Sequence, residues 1–102
     1  MSTMVVRMDC RPESRAEVIR HLREDVVVWA REQDGFVSGS WHVTDDGRWG
    51  LGFVEFASAE AAERAAGAPR SYHDPEVPFR IASVEVYERV AGASVAAETA
   101  AP

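Results

Sequence analysis

The chain has 102 residues, 46% hydrophobic and 27% charged, with a net charge of −6. That length bounds one domain with a modest core, small enough that association would add useful burial. The excess of acid excludes a nucleic-acid phosphate backbone as partner, because such a contact needs a basic stripe.

Cys10 is the only cysteine, so no internal disulfide forms and the cytoplasm is the expected compartment. The opening segment MSTMVVRMDC lacks a long apolar run or a cleavage pattern. No stretch is apolar for long enough to span a bilayer, so no membrane association is expected.

Met4 to Cys10, β-branched and apolar, predicts a first strand. Pro12-Glu13-Ser14 then opens a helix, with Ser14 and Glu17 at capping-box spacing. Val18, Ile19, Leu22, Val26, Trp29 and Ala30 form its apolar stripe, and Gly35 ends it. His21 lies on the polar side, near Glu17, Glu24 and Asp25, and is expected to be exposed.

Gly35 to Phe56, GFVSGSWHVTDDGRWGLGFVEF, reads as a β-hairpin around Asp45-Asp46-Gly47. Two registers compete. A two-residue loop, Asp46-Gly47, puts Ser38, Ser40 and His42 on the face of Trp49, Leu51 and Phe53. A three-residue loop through Asp45, Asp46 and a left-handed Gly47 flips one strand. Val37, Trp41, Val43, Trp49, Leu51 and Phe53 then share one face. Phe36, Ser38, Ser40, His42, Gly50, Gly52, Val54 and Phe56 share the other. The second register separates apolar from polar better and is the expected one.

Ser58 caps an alanine-rich helix (Ala59, Ala61, Ala62, Ala65, Ala66) closed by Gly67. Ala68 to Pro78, with three prolines, reads as an extended loop, and Phe79 to Val90 as a last strand. Residues 1–90 form the expected single domain, and 91–102, small, polar and without periodicity, a disordered tail.

The order β-α-β-β-α-β predicts an α+β, ferredoxin-like fold whose four-stranded antiparallel sheet carries helices on one face. The bare face, with Trp41, Trp49, Leu51 and Phe53, is too apolar for water. A homodimer packed sheet to sheet would cover it. Glu55 belongs to that face, beside the seam.

In the expected register His42 points between sheet and helices, opposite Gly50 and Gly52. Glycines inside a strand raise the question of what the missing side chains make room for. One answer is a ligand cavity with an imidazole in its wall, able to accept a proton or hydrogen-bond a developing anion. Phe36, Ser38, Ser40, Gly50, Gly52, Phe56 and Trp29 are its candidate lining. The other answer is a core histidine bonded to Ser40 or a backbone carbonyl. The run Arg70, Ser71, Tyr72, His73, Asp74 is either a solvated loop or a rim over the cavity. As a rim, it would bring Arg70 to the substrate and Tyr72 and His73 as proton-transfer groups. Nothing beside Cys10 suggests an activated thiolate. The three histidines have no metal-ligand spacing, and no glycine-rich phosphate loop precedes a helix, so neither a metal nor a nucleotide is expected.

Gly35-Phe36-Val37-Ser38, Trp41-His42, Asp46-Gly47 and Ala57-Ser58-Ala59-Glu60-Ala61 resemble motifs of the antibiotic biosynthesis monooxygenase-like proteins of the dimeric α+β barrel superfamily. By element order the resemblance covers about residues 4–90; by motif, a smaller part. It implies oxygenation of an apolar aromatic, phenolic polycyclic substrate without a cofactor. The deprotonated substrate passes an electron to O₂ while the protein supplies desolvation, orientation and hydrogen bonds. His42 matches a histidine of those oxygenases. Gly52, Phe56 and Ala62 stand where they carry asparagine, tryptophan and tyrosine. Relatives that degrade haem depend on an asparagine, and this chain has none. The same cavity would also suit a non-oxidative cyclisation or isomerisation, and a non-catalytic small-molecule-binding dimer is the alternative from another class.

Overall fold

The computed structural model describes residues 1–95. Most of the expected tail, from residue 96 on, lies outside the described residues. β1 (Ser2–Cys10) leads through a short 3₁₀ turn, Pro12–Ser14, into α1 (Arg15–His21). Ser14 makes no side-chain cap, so the expected capping box does not form. The helix runs on through a π-helical stretch, Leu22–Val26, into α2 (Val27–Arg31). β2 (Phe36–Val43), β3 (Trp49–Phe56), α3 (Ala59–Ser71) and β4 (Phe79–Glu88) complete the order.

The strands form one antiparallel sheet in the order β2-β3-β1-β4, with β3 and β1 central. This is the α+β, ferredoxin-like arrangement, with the helices against one face. Met4, Val6 and Met8 of β1, Val54 and Phe56 of β3, and Phe79 of β4 point to that inner face. They pack on Val18, Leu22 and Ala30 and on Ala61, Ala62, Ala65 and Ala66. Phe56 is fully buried at 0% exposure. An aromatic or aliphatic side chain buried this way contributes about 1.5–3 kcal/mol relative to staying exposed.

The alanines of α3 let that helix lie close to the chain below it. A Cβ at Gly35 would fall 2.7 Å from the Ala61 Cβ, and Gly35 holds a φ of 81°. Both facts require glycine at this helix-to-strand turn. Ser58 caps α3 as expected, its Oγ accepting from the Ala61 N–H at 3.1 Å. The helix does not close at Gly67, and the segment after it is not an extended loop as far as Ser71. Gly67 stays helical, with open space where a Cβ would be, and Pro69 is carried in the last turn. There the Ser71 Oγ donates to the Gly67 carbonyl at 3.0 Å, and the Tyr72 N–H to the Pro69 carbonyl at 3.2 Å. Among the described residues, no helix is long and apolar enough to cross a membrane.

Candidate functional site

The hairpin loop decides which side chains reach the space between sheet and helices. It has four residues, Asp45 to Arg48, between the paired Thr44 and Trp49. The Thr44 N–H donates to the Trp49 carbonyl at 3.0 Å, and the Trp49 N–H to the Thr44 Oγ1 at 3.1 Å. Asp46 Oδ1 accepts from the Thr44 hydroxyl at 2.7 Å and the Arg48 N–H at 3.0 Å. These bonds, that of the Arg48 N–H first, hold the exposed Asp46 carboxyl below its usual range. Gly47 takes a φ of 75°.

The expected three-residue loop is therefore incorrect. Loops of four and of two residues have the same parity, so Trp41 pairs with Gly52, His42 with Leu51 and Val43 with Gly50. A bulge between Phe36 and Ser38 keeps Phe36 inward beside Phe56, with ring centroids 6.5 Å apart.

The consequences for the predicted site are direct. His42, Ser40 and Ser38 face the outer surface. His42 Nε2 lies 3.1 Å from Ser40 Oγ, and its ring stands edge-on to Phe53. Trp41, expected in the dimer face, is turned inward instead. The glycines make room for this indole rather than for an imidazole. A Cβ at Gly52 would lie 2.8 Å from Trp41 Cδ1 and Nε1, and one at Gly39 2.8 Å from its Cη2. Gly50 accommodates Met8, whose Cε would lie 2.9 Å from an added Cβ.

Between the sheet and the helices an apolar cavity of about 290 Å³ remains. Met4, Val6, Met8 and Val54 form its sheet wall with Trp41, and Leu22, Val26 and Trp29 close it from the helical side. The π-helical stretch contributes Leu22, Asp25 and Val26. The extra residue in a π turn rotates the following side chains, and such turns recur at functional sites.

Three groups with acid–base chemistry border this apolar space: His21, Asp25 and Tyr72. His21 is not exposed as its polar neighbours implied. Its ring packs on Phe79 at a centroid distance of 5.4 Å, and its Nδ1 lies 2.8 Å from Asp25 Oδ2. With Nδ1–H donating to the carboxylate, Nε2 is left for a bound molecule. Tyr72 stacks on Phe79, with centroids 6.2 Å apart and planes 17° from parallel. Partial burial raises its hydroxyl pKa above the usual phenol value, and Asp74 and Asp25 add to this. Phe79 thus seats both rings.

Of the predicted site residues, Tyr72 and Trp29 line the cavity. Phe36, Gly50, Gly52 and Phe56 belong to the inner face but are taken up by packing against Trp41, Met8 and each other. Arg70 turns away, its Nη1 on Glu63 at 2.8 Å and its guanidinium toward the Val84 carbonyl at 3.4 Å. His73 borders a separate groove with Asp9, Cys10, Arg11 and Arg80. There, burial first and Asp9 second push the Cys10 thiol up, so it is not activated. Sequence reasoning missed His21 and Asp25. The i,i+4 spacing was the available signal, but the π turn and the covering Phe79 ring have none. Among the described residues no group of three His, Cys, Asp or Glu converges as a metal site.

No family model and no curated protein matches the chain by sequence. Solved structures do match it in shape. Rv0793 from Mycobacterium tuberculosis is 22% identical, with a TM-score of 0.64 over 91% of this chain and 98% of that one. The heme degrader MhuD of the same organism, with two hemes bound in its active site, is 13% identical. Its TM-score is 0.71 over 92% of this chain and 100% of its own. A monooxygenase from the gene ActVA-Orf6 of Streptomyces coelicolor, in complex with Nanaomycin D, is 18% identical. Its TM-score is 0.61 over 93% and 92%. The chain shares the fold of these three structures. At these identities the likeness establishes architecture and leaves chemistry to the residues.

Proposed function

We propose that the chain is a monooxygenase-like enzyme that takes a small apolar aromatic molecule into the cavity between sheet and helices. The observation that carries this reading is an apolar space bordered by the His21–Asp25 pair and Tyr72. Its volume is at the small end of ligand sites, which suits a flat molecule of two or three fused rings. The fold shared with the Streptomyces coelicolor monooxygenase that holds Nanaomycin D supports the same class.

Haem, which MhuD binds, does not fit these residues. The space is small for the macrocycle, and the carboxylate on its border, Asp25, would repel the propionates.

For a phenolic substrate such as an anthrone, His21 Nε2 accepts the proton that generates the electron-rich anion. Asp25 orients the imidazole and stabilises its protonated form. The anion transfers one electron to O₂, and the two radicals combine into a peroxide at the ring carbon. Loss of water then leaves a quinone, so one O₂ is consumed per anthrone and one water released. Tyr72, held protonated by its surroundings, is the hydrogen-bond donor to the oxygen that gains charge. The outward-facing residues Trp49, Leu51 and Phe53 make a homodimer through that face part of the same proposal, and the cytoplasm is its proposed compartment.

Oxygen uptake with anthrone as the probe tests the reading, alongside calorimetric titration with anthraquinone. We expect uptake above autoxidation, reduced by about 10²-fold or more in His21→Ala and nearly unchanged in His42→Ala. Failure to bind anthraquinone, or uptake indifferent to His21, overturns it.

A further inference from the structure

The cavity's depth is set by a side chain that the reaction itself does not need. Trp41 lies with its indole flat on the inner face of the sheet, spanning two glycines. Its Cδ1–Nε1 edge rests over Gly52, its partner on β3, and its six-membered ring over Gly39, two residues earlier on β2. At both places a Cβ would come within 2.8 Å of the ring. That is closer than such contacts allow, and below the indole there is only backbone. An added methyl group therefore lifts the indole off the sheet, toward α1–α2 and into the cavity that it borders. Glycine at 39 and 52 is the condition for the space being open.

We infer that Trp41, bedded on Gly39 and Gly52, is the specificity determinant of this cavity and limits the number of fused rings that it accepts. The inference rests on the reading of the cavity as an aromatic-ligand site, and it adds a size rule to it. Two observations support an adjustable floor rather than passive packing. Trp41 is half-buried and borders open space, whereas the neighbouring Phe56 is sealed in the core. It also sits on β2, an edge strand that is paired on one side only. Discrimination by a methylene in an apolar pocket is about 10–200-fold, so a shift of the indole by a methyl's width is readable in affinity.

The test uses a ring series, naphthol, hydroxyanthraquinone and hydroxytetracenequinone, titrated by calorimetry into the full chain. Gly52→Ala and Gly39→Ala should each weaken hydroxyanthraquinone by about tenfold or more while leaving naphthol within about twofold. Trp41→Phe, which needs no extra room and keeps the inner face apolar, should strengthen hydroxytetracenequinone relative to hydroxyanthraquinone by about tenfold. In a Trp41→Ala background, Gly52→Ala should no longer change the ranking. If either glycine variant does not fold, the Trp41→Phe ranking decides alone. A wild-type ranking by ring number that none of the variants moves overturns the size rule and leaves the ligand-site reading standing. No binding of any of the three by the wild type removes the ligand-site reading and this inference with it.

Discussion

The two faces of β3 carry residues of the same kind to opposite ends. On the inner face Gly50, Gly52, Val54 and Phe56 alternate with nothing polar, and all four are buried. On the outer face Trp49 and Phe53 remain 54% and 37% exposed, with Leu51 and Glu55 half-buried. Glu55 accepts from the Thr3 hydroxyl and lies 3.5 Å from the Arg89 guanidinium. The inner face is small and filled by its neighbours' side chains; the outer face is large and, in a single protomer, uncovered. Hydrophobicity alone does not separate them, because aromatic residues stand on both. What separates them is whether each aromatic has a surface to pack on, as Phe56 has in the helices and Trp41 in the glycines.

The largest effect is expected at Phe56. Phe56→Ala should cost about 3–5 kcal/mol in urea unfolding, since a fully buried ring leaves a cavity. A cost near that of an exposed position would mean that the inner face is not the core. Next comes the outer face. Phe53→Glu places a charge in the proposed seam, and sedimentation should show a dimer for the parent and a monomer for the variant, with unchanged far-ultraviolet dichroism. A parent that stays monomeric at micromolar concentration would leave the outer face without its proposed partner.

A smaller effect follows from Tyr72. Its folded-state pKa is raised, so above about pH 10 the unfolded chain ionises first and stability falls as pH rises. Tyr72→Phe should flatten this decline only in part. Tyr87 is raised as well, chiefly by its hydrogen bond to Glu85, and contributes a slope of the same sign. Smallest of all is His42→Ala, expected to change stability by about 0.5 kcal/mol or less. It should leave anthraquinone affinity within twofold; a larger loss would put the imidazole back in the site and the register in question.

Much of the architecture was legible in the sequence. Periodicity placed the strands and helices, Ser58 marked the start of α3, and the element order gave the sheet its topology, whereas the helix expected to end at Gly35 stops at Arg31. Tyr72 and Trp29 were picked out and do border the cavity. His42 was picked out for its imidazole and set on the wrong face, because segregating apolar from polar residues favoured a loop of odd length. Thr44 and Asp46 close a longer loop by hydrogen bonds that leave no mark in hydropathy. The helix running past Gly67 to Ser71 likewise defied local signals, since glycine and proline there are carried by their neighbours' helical bonds.

By itself, then, the sequence determined the order of elements, the alanine-rich make-up of α3 and the glycines inside β3 that leave room on the sheet. These follow from local backbone preference and from periodicity, which act over a few residues. Only the tertiary structure decided that the bulky group is Trp41, and that Phe79 brings together His21 at the end of α1 and Tyr72 just past the end of α3. Pairing parity and ring-on-ring packing join residues far apart in the chain. A shift of one position reverses them without altering any local preference.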